Sequence, residues 1–142
     1  MSWNRPAWAA RTLVAAVVIA PLVHVVPMDR LTGRLTRRAR PLRSGRVPPD
    51  PELARWVDGL LRRLPWPWHL TCLKRASVLF YLLGRAGRPV ELRIGVRHVP
   101  GDPLTAHAWL VRDGAVILEP GSADVSGFET IARFPETSGG GL

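Results

Sequence analysis

The stretch that most constrains this chain is residues 71–83, Thr-Cys-Leu-Lys-Arg-Ala-Ser-Val-Leu-Phe-Tyr-Leu-Leu. It is rich in strong helix formers and apolar nearly all round. A helix without a polar face is buried as the central element of its domain. Gly87 and Pro89 are stop signals on one side. On the other, Trp66-Pro67-Trp68 does not continue a helix easily, so the spacing predicts a start near Thr71. The chain's one cysteine, Cys72, then falls in the first turn, where unpaired N–H groups and the positive end of the helix dipole favour negative charge. A lone cysteine is more often an inert core residue than a nucleophile. Its reading depends on what the rest of the chain supplies.

At 142 residues, 46% of them hydrophobic, the chain is long and apolar enough for one domain with a real core. One cysteine excludes an internal disulfide and any multi-cysteine metal site. It fits a reducing, cytoplasmic setting. Charge is uneven. Residues 1–50 carry nine arginines against Asp29 and Asp50, whereas residues 101–142 carry two basic and six acidic side chains. A basic front half suits an anionic surface or an acidic partner. Neither a zinc-ligand set nor an aromatic RNA-binding signature accompanies it, so nucleic acid is not the expected partner.

Residues 13–26 are apolar except for Pro21 and His24. This run is too short for a membrane span of about 20 residues, and no signal-peptide cleavage pattern is evident. The expectation is a hydrophobic helix packed on the domain, kinked at Pro21, with weak membrane-surface contact as the alternative. Asp29 can cap a short basic helix reaching Ala39, with Leu31 and Leu35 on one face. Residues 41–49 read as a loop. Asp50-Pro51-Glu52 is a helix start with Asp50 as N-cap. Leu53, Trp56, Val57, Leu60, Leu61 and Leu64 then form one stripe, leaving Arg55, Asp58, Arg62 and Arg63 outside it.

After the Cys72 helix the period changes from 3.6 to 2. Val90, Leu92, Ile94 and Val96 alternate with polar residues, which predicts a half-buried strand. Residues 105–111 and 115–119 are two more strands around Arg112-Asp113-Gly114, and residues 128–134 are one further short element. Helices first and strands after mean α+β, with the cysteine helix packed on a small antiparallel sheet. The expected organisation is residues 1–49 as a hydrophobic helix plus basic segment packed on the domain, 50–134 as the core, and 135–142 as a flexible tail.

A nucleophilic cysteine needs a base, and the base an orienting group. Of four histidines, His24 lies in the apolar N-terminal run and reads as a core or interface residue. His69 precedes the helix, and His98 ends a strand. His107 alone sits mid-strand, flanked by alanines that leave room for the imidazole. With a three-residue loop at 112–114, Val111 pairs with Ala115, Trp109 with Ile117 and His107 with Glu119, on one face. A two-residue loop instead pairs His107 with Pro120 and turns Glu119 away.

Several of these residues resemble a family. Cys72-Leu73, Arg75-Ala76, the strand Leu92-Arg93-Ile94-Gly95-Val96, then Ala106-His107-Ala108-Trp109 and an acid 12 residues after the histidine look like the transglutaminase-like (papain-like) superfamily. Within it, residues 55–120 are most similar to the stand-alone B2-type proteases of lasso peptide maturation. The resemblance implies a thiol protease with a Cys72–His107–Glu119 triad and no metal or other cofactor. Glu119 departs from the aspartate common in the family. Position suggests Trp68, His69 or Trp109 at the oxyanion or substrate contacts. The implied reaction removes the leader from a ribosomally made precursor peptide. The implied partners are a small leader-binding (B1-type) protein and an ATP-dependent macrolactam synthetase. Amide formation by acyl transfer, or a non-catalytic basic scaffold, are the alternatives.

Overall fold

The computed structural model describes residues 5–40, 48–66, 68, 71–118, 125 and 127–134. Four helices precede four strands: α1 (Arg5–Val25), α2 (Met28–Arg38), α3 (Asp50–Arg63), α4 (Cys72–Arg85), β1 (Glu91–Arg97), β2 (Thr105–Arg112), β3 (Ala115–Ile117) and β4 (Glu129–Phe134). The strands form one antiparallel sheet in the order β3-β2-β1-β4. This is the expected α+β arrangement, with the element at 128–134 becoming the edge strand beside β1.

Helix α4 is the centre of the domain. Val78, Leu79, Leu82 and Leu83 are fully buried, and α1, α2, α3 and the sheet all pack around it. Both ends are specified locally. At the start, Thr71 is the N-cap, and its hydroxyl accepts the Lys74 N–H at 3.2 Å. At the finish, Gly87 takes φ +79°. The Arg88 N–H then reaches the Leu83 carbonyl and the Gly87 N–H reaches Gly84, a Schellman termination.

The caps of α2 and α3 differ from expectation. Pro27 and Pro49 occupy the N-cap positions, without side-chain cap bonds. Asp29 and Asp50 lie in the first turns, where their charge still faces the helix dipole. Asp50 has a tertiary role instead. Its carboxylate meets Arg112 at 2.5 Å and Arg88 at 3.2 Å, tying the start of α3 to the one end of the β1–β2 pair where the chain enters β1 and leaves β2.

Helix α1 begins eight residues earlier than the apolar run at 13–26 and includes Pro21 within it. Residues Pro6–Val25 are therefore long and apolar enough to cross a membrane, contrary to the length argument. One face is nonetheless packed on the protein through Trp8, Thr12, Ala15, Ala16, Ile19 and Ala20. His24 is exposed rather than in the core, 5.5 Å from the Trp66 ring. The loop at 41–49 and the tail at 135–142 fall largely or wholly outside the described residues.

The β2–β3 connection is a two-residue turn, not three. Arg112 pairs with Ala115, Val111 with Val116 and Leu110 with Ile117. Asp113 and Gly114 both have positive φ (53° and 81°), the type I′ geometry that matches the twist of a hairpin. The Asp-Gly dipeptide is well suited to it. Register thus shifts by one from the expected pairing, and the reason for placing Glu119 opposite His107 is removed. The ladder ends at Ile117, and Leu118 takes φ 59°, so the chain turns away from strand geometry before residue 119.

Candidate active site

Cys72 is the first residue of α4 and is half-buried. The α-helix offers no acceptor to the N–H groups of its first residues, so Cys72 and Leu73 present theirs at the helix mouth. The side chain packs at the margin of the core, with the rest of α4 behind it.

His107 is the third residue of β2, half-buried, and opposite Gly95 on β1. It stands beside two aromatic rings. The Trp109 ring lies 5.9 Å away at an interplanar angle of 18°, and the Phe128 ring 5.5 Å away. Arg97 covers Phe128 at 4.7 Å. Strand alternation separates this group from Leu92, Ala108 and Leu110, the sheet residues of the main core beneath α4. Trp109 is only 3% exposed. Its ring supports the imidazole from within the fold.

Gly95 makes that arrangement possible. A Cβ there would stand 2.7 Å from the Trp109 Cη2 and 3.0 Å from the Glu129 carbonyl oxygen. The indole therefore lies across a bare stretch of β1. Two neighbouring sequence features, Gly95 and the Trp109 two residues after the histidine, are parts of one packing unit.

The start of α4 is tied to the end of β3 by Arg75, one turn after Cys72. Its Nε donates to Asp58 of α3 at 2.5 Å, and its Nη2 donates to the Leu118 carbonyl. The side chain is 9% exposed and that of Asp58 20%. Asp58, outside the apolar stripe of α3, is thus a structural anion. The pair is not legible in the sequence, because neither periodicity nor composition marks a partner 17 residues away. The available signal was Arg75 itself, a charged residue in a helix without a polar face.

Trp68 also has a structural role. Its indole N–H donates to the Val17 carbonyl at 3.1 Å, and its backbone N–H to Pro65. Both donors are engaged, and Trp68 joins the segment before Cys72 to α1. His69 and Glu119 lie outside the described residues. Among the described residues, no group of three or more His, Cys, Asp and Glu side chains is placed to hold a metal ion.

A helix-start cysteine packed over an antiparallel sheet that carries a histidine is the layout of a known superfamily. The family described as the transglutaminase-like superfamily matches residues 11–133. The chain belongs to the transglutaminase-like superfamily, whose members are typically cysteine-dependent enzymes. Neither the curated proteins nor the solved structures gave a significant match.

Proposed function

We propose that this protein is a cysteine peptidase that removes the leader from a ribosomally made lasso peptide precursor. The observation that carries the reading is the half-buried Cys72 at the first position of the central helix, in a chain of a superfamily whose chemistry depends on such a cysteine. The motif resemblance over residues 55–120 supports the narrower assignment. The acidic leader-side groups of a substrate, or the leader-binding partner, would meet a basic chain with net charge +9.

This mechanism requires the imidazole, on the sheet face away from Leu92, Ala108 and Leu110, to meet the Cys72 thiol at the rim of the sheet; His107 then takes the thiol proton and the sulfur attacks the carbonyl of the leader's last residue. The Cys72 backbone N–H, at the helix mouth, donates to the developing oxyanion. His107 returns the proton to the leaving amine as the C–N bond breaks. Water then attacks the thioester, releasing the leader as an acid and restoring the thiol. The freed amine is the group that a macrolactam synthetase would acylate, with the leader held by a separate B1-type protein.

The test is reconstitution with precursor peptide and leader-binding protein, followed by mass spectrometry. Wild-type protein is expected to release leader and core, and Cys72→Ala to release neither. Cleavage by the alanine variant refutes the peptidase. Added primary amine distinguishes acyl transfer: an amide-capped leader in place of the free acid would assign the transferase chemistry of the same superfamily.

A further inference from the structure

Helix α1 buries one face and leaves the other apolar. Leu13, Val14, Val17, Val18 and Val25 are 43–74% exposed. Such a row is costly in water and is normally covered. Between α1, α2 and α4 the same face opens into a groove of about 430 Å³, with Val14, Val18, Leu35 and Tyr81 among its walls and Arg11, Arg38 and Arg85 as its charged members. Among the described residues, no acidic side chain lines it. Helix α2 adds Arg30, Arg34 and Arg37 on its exposed side, against Asp29 alone. Near the far end of α1, Trp66 is 74% exposed and adjoins His24.

We infer that this face is a docking surface for an anionic lipid bilayer, on which the protein lies without spanning it. Three observations select that occupant. The apolar row and the arginines lie together, which matches acyl chains below an anionic headgroup layer. An exposed tryptophan near one end of the row is the residue type that settles at the headgroup level. The buried face of α1 is held by Trp8, Ala16, Ile19 and Ala20, so lipid can reach one side of the helix but cannot surround it. The inference does not depend on the peptidase reading, because it concerns a separate face and a binding measurement.

Co-sedimentation of the full chain with vesicles provides the test. Phosphatidylglycerol/phosphatidylcholine vesicles are expected to pellet the protein at low salt, and pure phosphatidylcholine vesicles to leave most of it in solution. Val14→Glu/Val18→Glu should lower the partition coefficient at least tenfold. Arg34→Glu/Arg38→Glu should lower it by about 25-fold or more, at roughly fivefold for each basic residue near the surface. Both pairs are solvent-exposed, and circular dichroism checks that the variants fold. Should either fail, the lipid and salt dependence of the wild type still decides the matter. Failure to pellet with anionic vesicles, or equal pelleting with neutral ones, overturns the inference. A dimer in light scattering that Val14→Glu/Val18→Glu dissociates, with no vesicle binding, would assign the face to a second copy instead.

Discussion

Replacing Arg75 by alanine tests whether the bridge from α4 to Asp58 and Leu118 holds the Cys72 end of the fold together. The substitution removes one ion pair and one charge-assisted bond to a backbone carbonyl. Removing one partner of a buried pair costs about 3–5 kcal/mol. Asp58 retains 20% exposure, so water can partly solvate it, and the lower end, about 3 kcal/mol, is expected. That is a large fraction of the ~5–15 kcal/mol that stabilises a domain. Urea unfolding followed by tryptophan fluorescence measures it directly. Asp58→Asn keeps an acceptor and should cost about 1–2 kcal/mol. In a double-mutant cycle with Asp58→Ala the two alanine losses should fall short of additive by at least about 1 kcal/mol. Arg75→Lys keeps the charge but not the fork and reaches only one of the two partners. It should therefore lower peptide cleavage more than it lowers stability. An Arg75→Ala cost below about 1 kcal/mol, or strictly additive losses, would refute the bridge as a structural element.

Gly95→Ala should destabilise by about 1–3 kcal/mol, since the new methyl overlaps the Trp109 ring and the Glu129 carbonyl. Near-UV circular dichroism should report the displaced indole, and an unchanged spectrum and midpoint would contradict the packing. Gly114→Ala meets no neighbour and tests conformation alone. At φ +81° it should cost about 1–2 kcal/mol in thermal or urea unfolding. Lys74 is buried, and desolvation pulls its amine below its ordinary value of 10.5. The unfolded chain then holds that proton more tightly, so stability relative to Lys74→Met should rise with pH between the lowered value and 10.5. A flat or falling difference between the two unfolding curves would contradict this. Cys72 should react with iodoacetamide in the folded protein at rates above those of a buried thiol, as quantitative mass spectrometry would show.

The legibility of the chain followed the range of the interactions involved. The ends of α4, from Thr71 to Gly87, rest on caps and turn residues within a few positions, and the sequence displays them. The alternation of β1 and the helix stripe of α3 are equally local. The caps of α2 and α3 differ from the sequence expectation because an aspartate at a helix start serves equally well one or two positions inside the helix, as Asp50 and Asp29 do. Asp50 had two arginines to satisfy, Arg88 and Arg112, which no local pattern reveals. Hairpin register turned on whether Gly114 followed one or two turn residues, and the left-handed φ of Asp113 decided it. In the candidate site, Cys72 and His107 were visible as residue types at suggestive spacing. Phe128 beside His107, and Asp58 behind Arg75, were not, because both contacts depend on tertiary approach.

Gly95 and Trp109 lie on different strands, yet the atom absent from one is the space occupied by the other. Such a pair cannot drift independently. Among relatives of this chain, alanine or serine at position 95 should accompany a smaller ring or an aliphatic residue at position 109, and tryptophan at 109 should coincide with glycine at 95. An alignment in which the two positions vary without regard to each other would show that the sheet has another way to seat the indole beside the histidine.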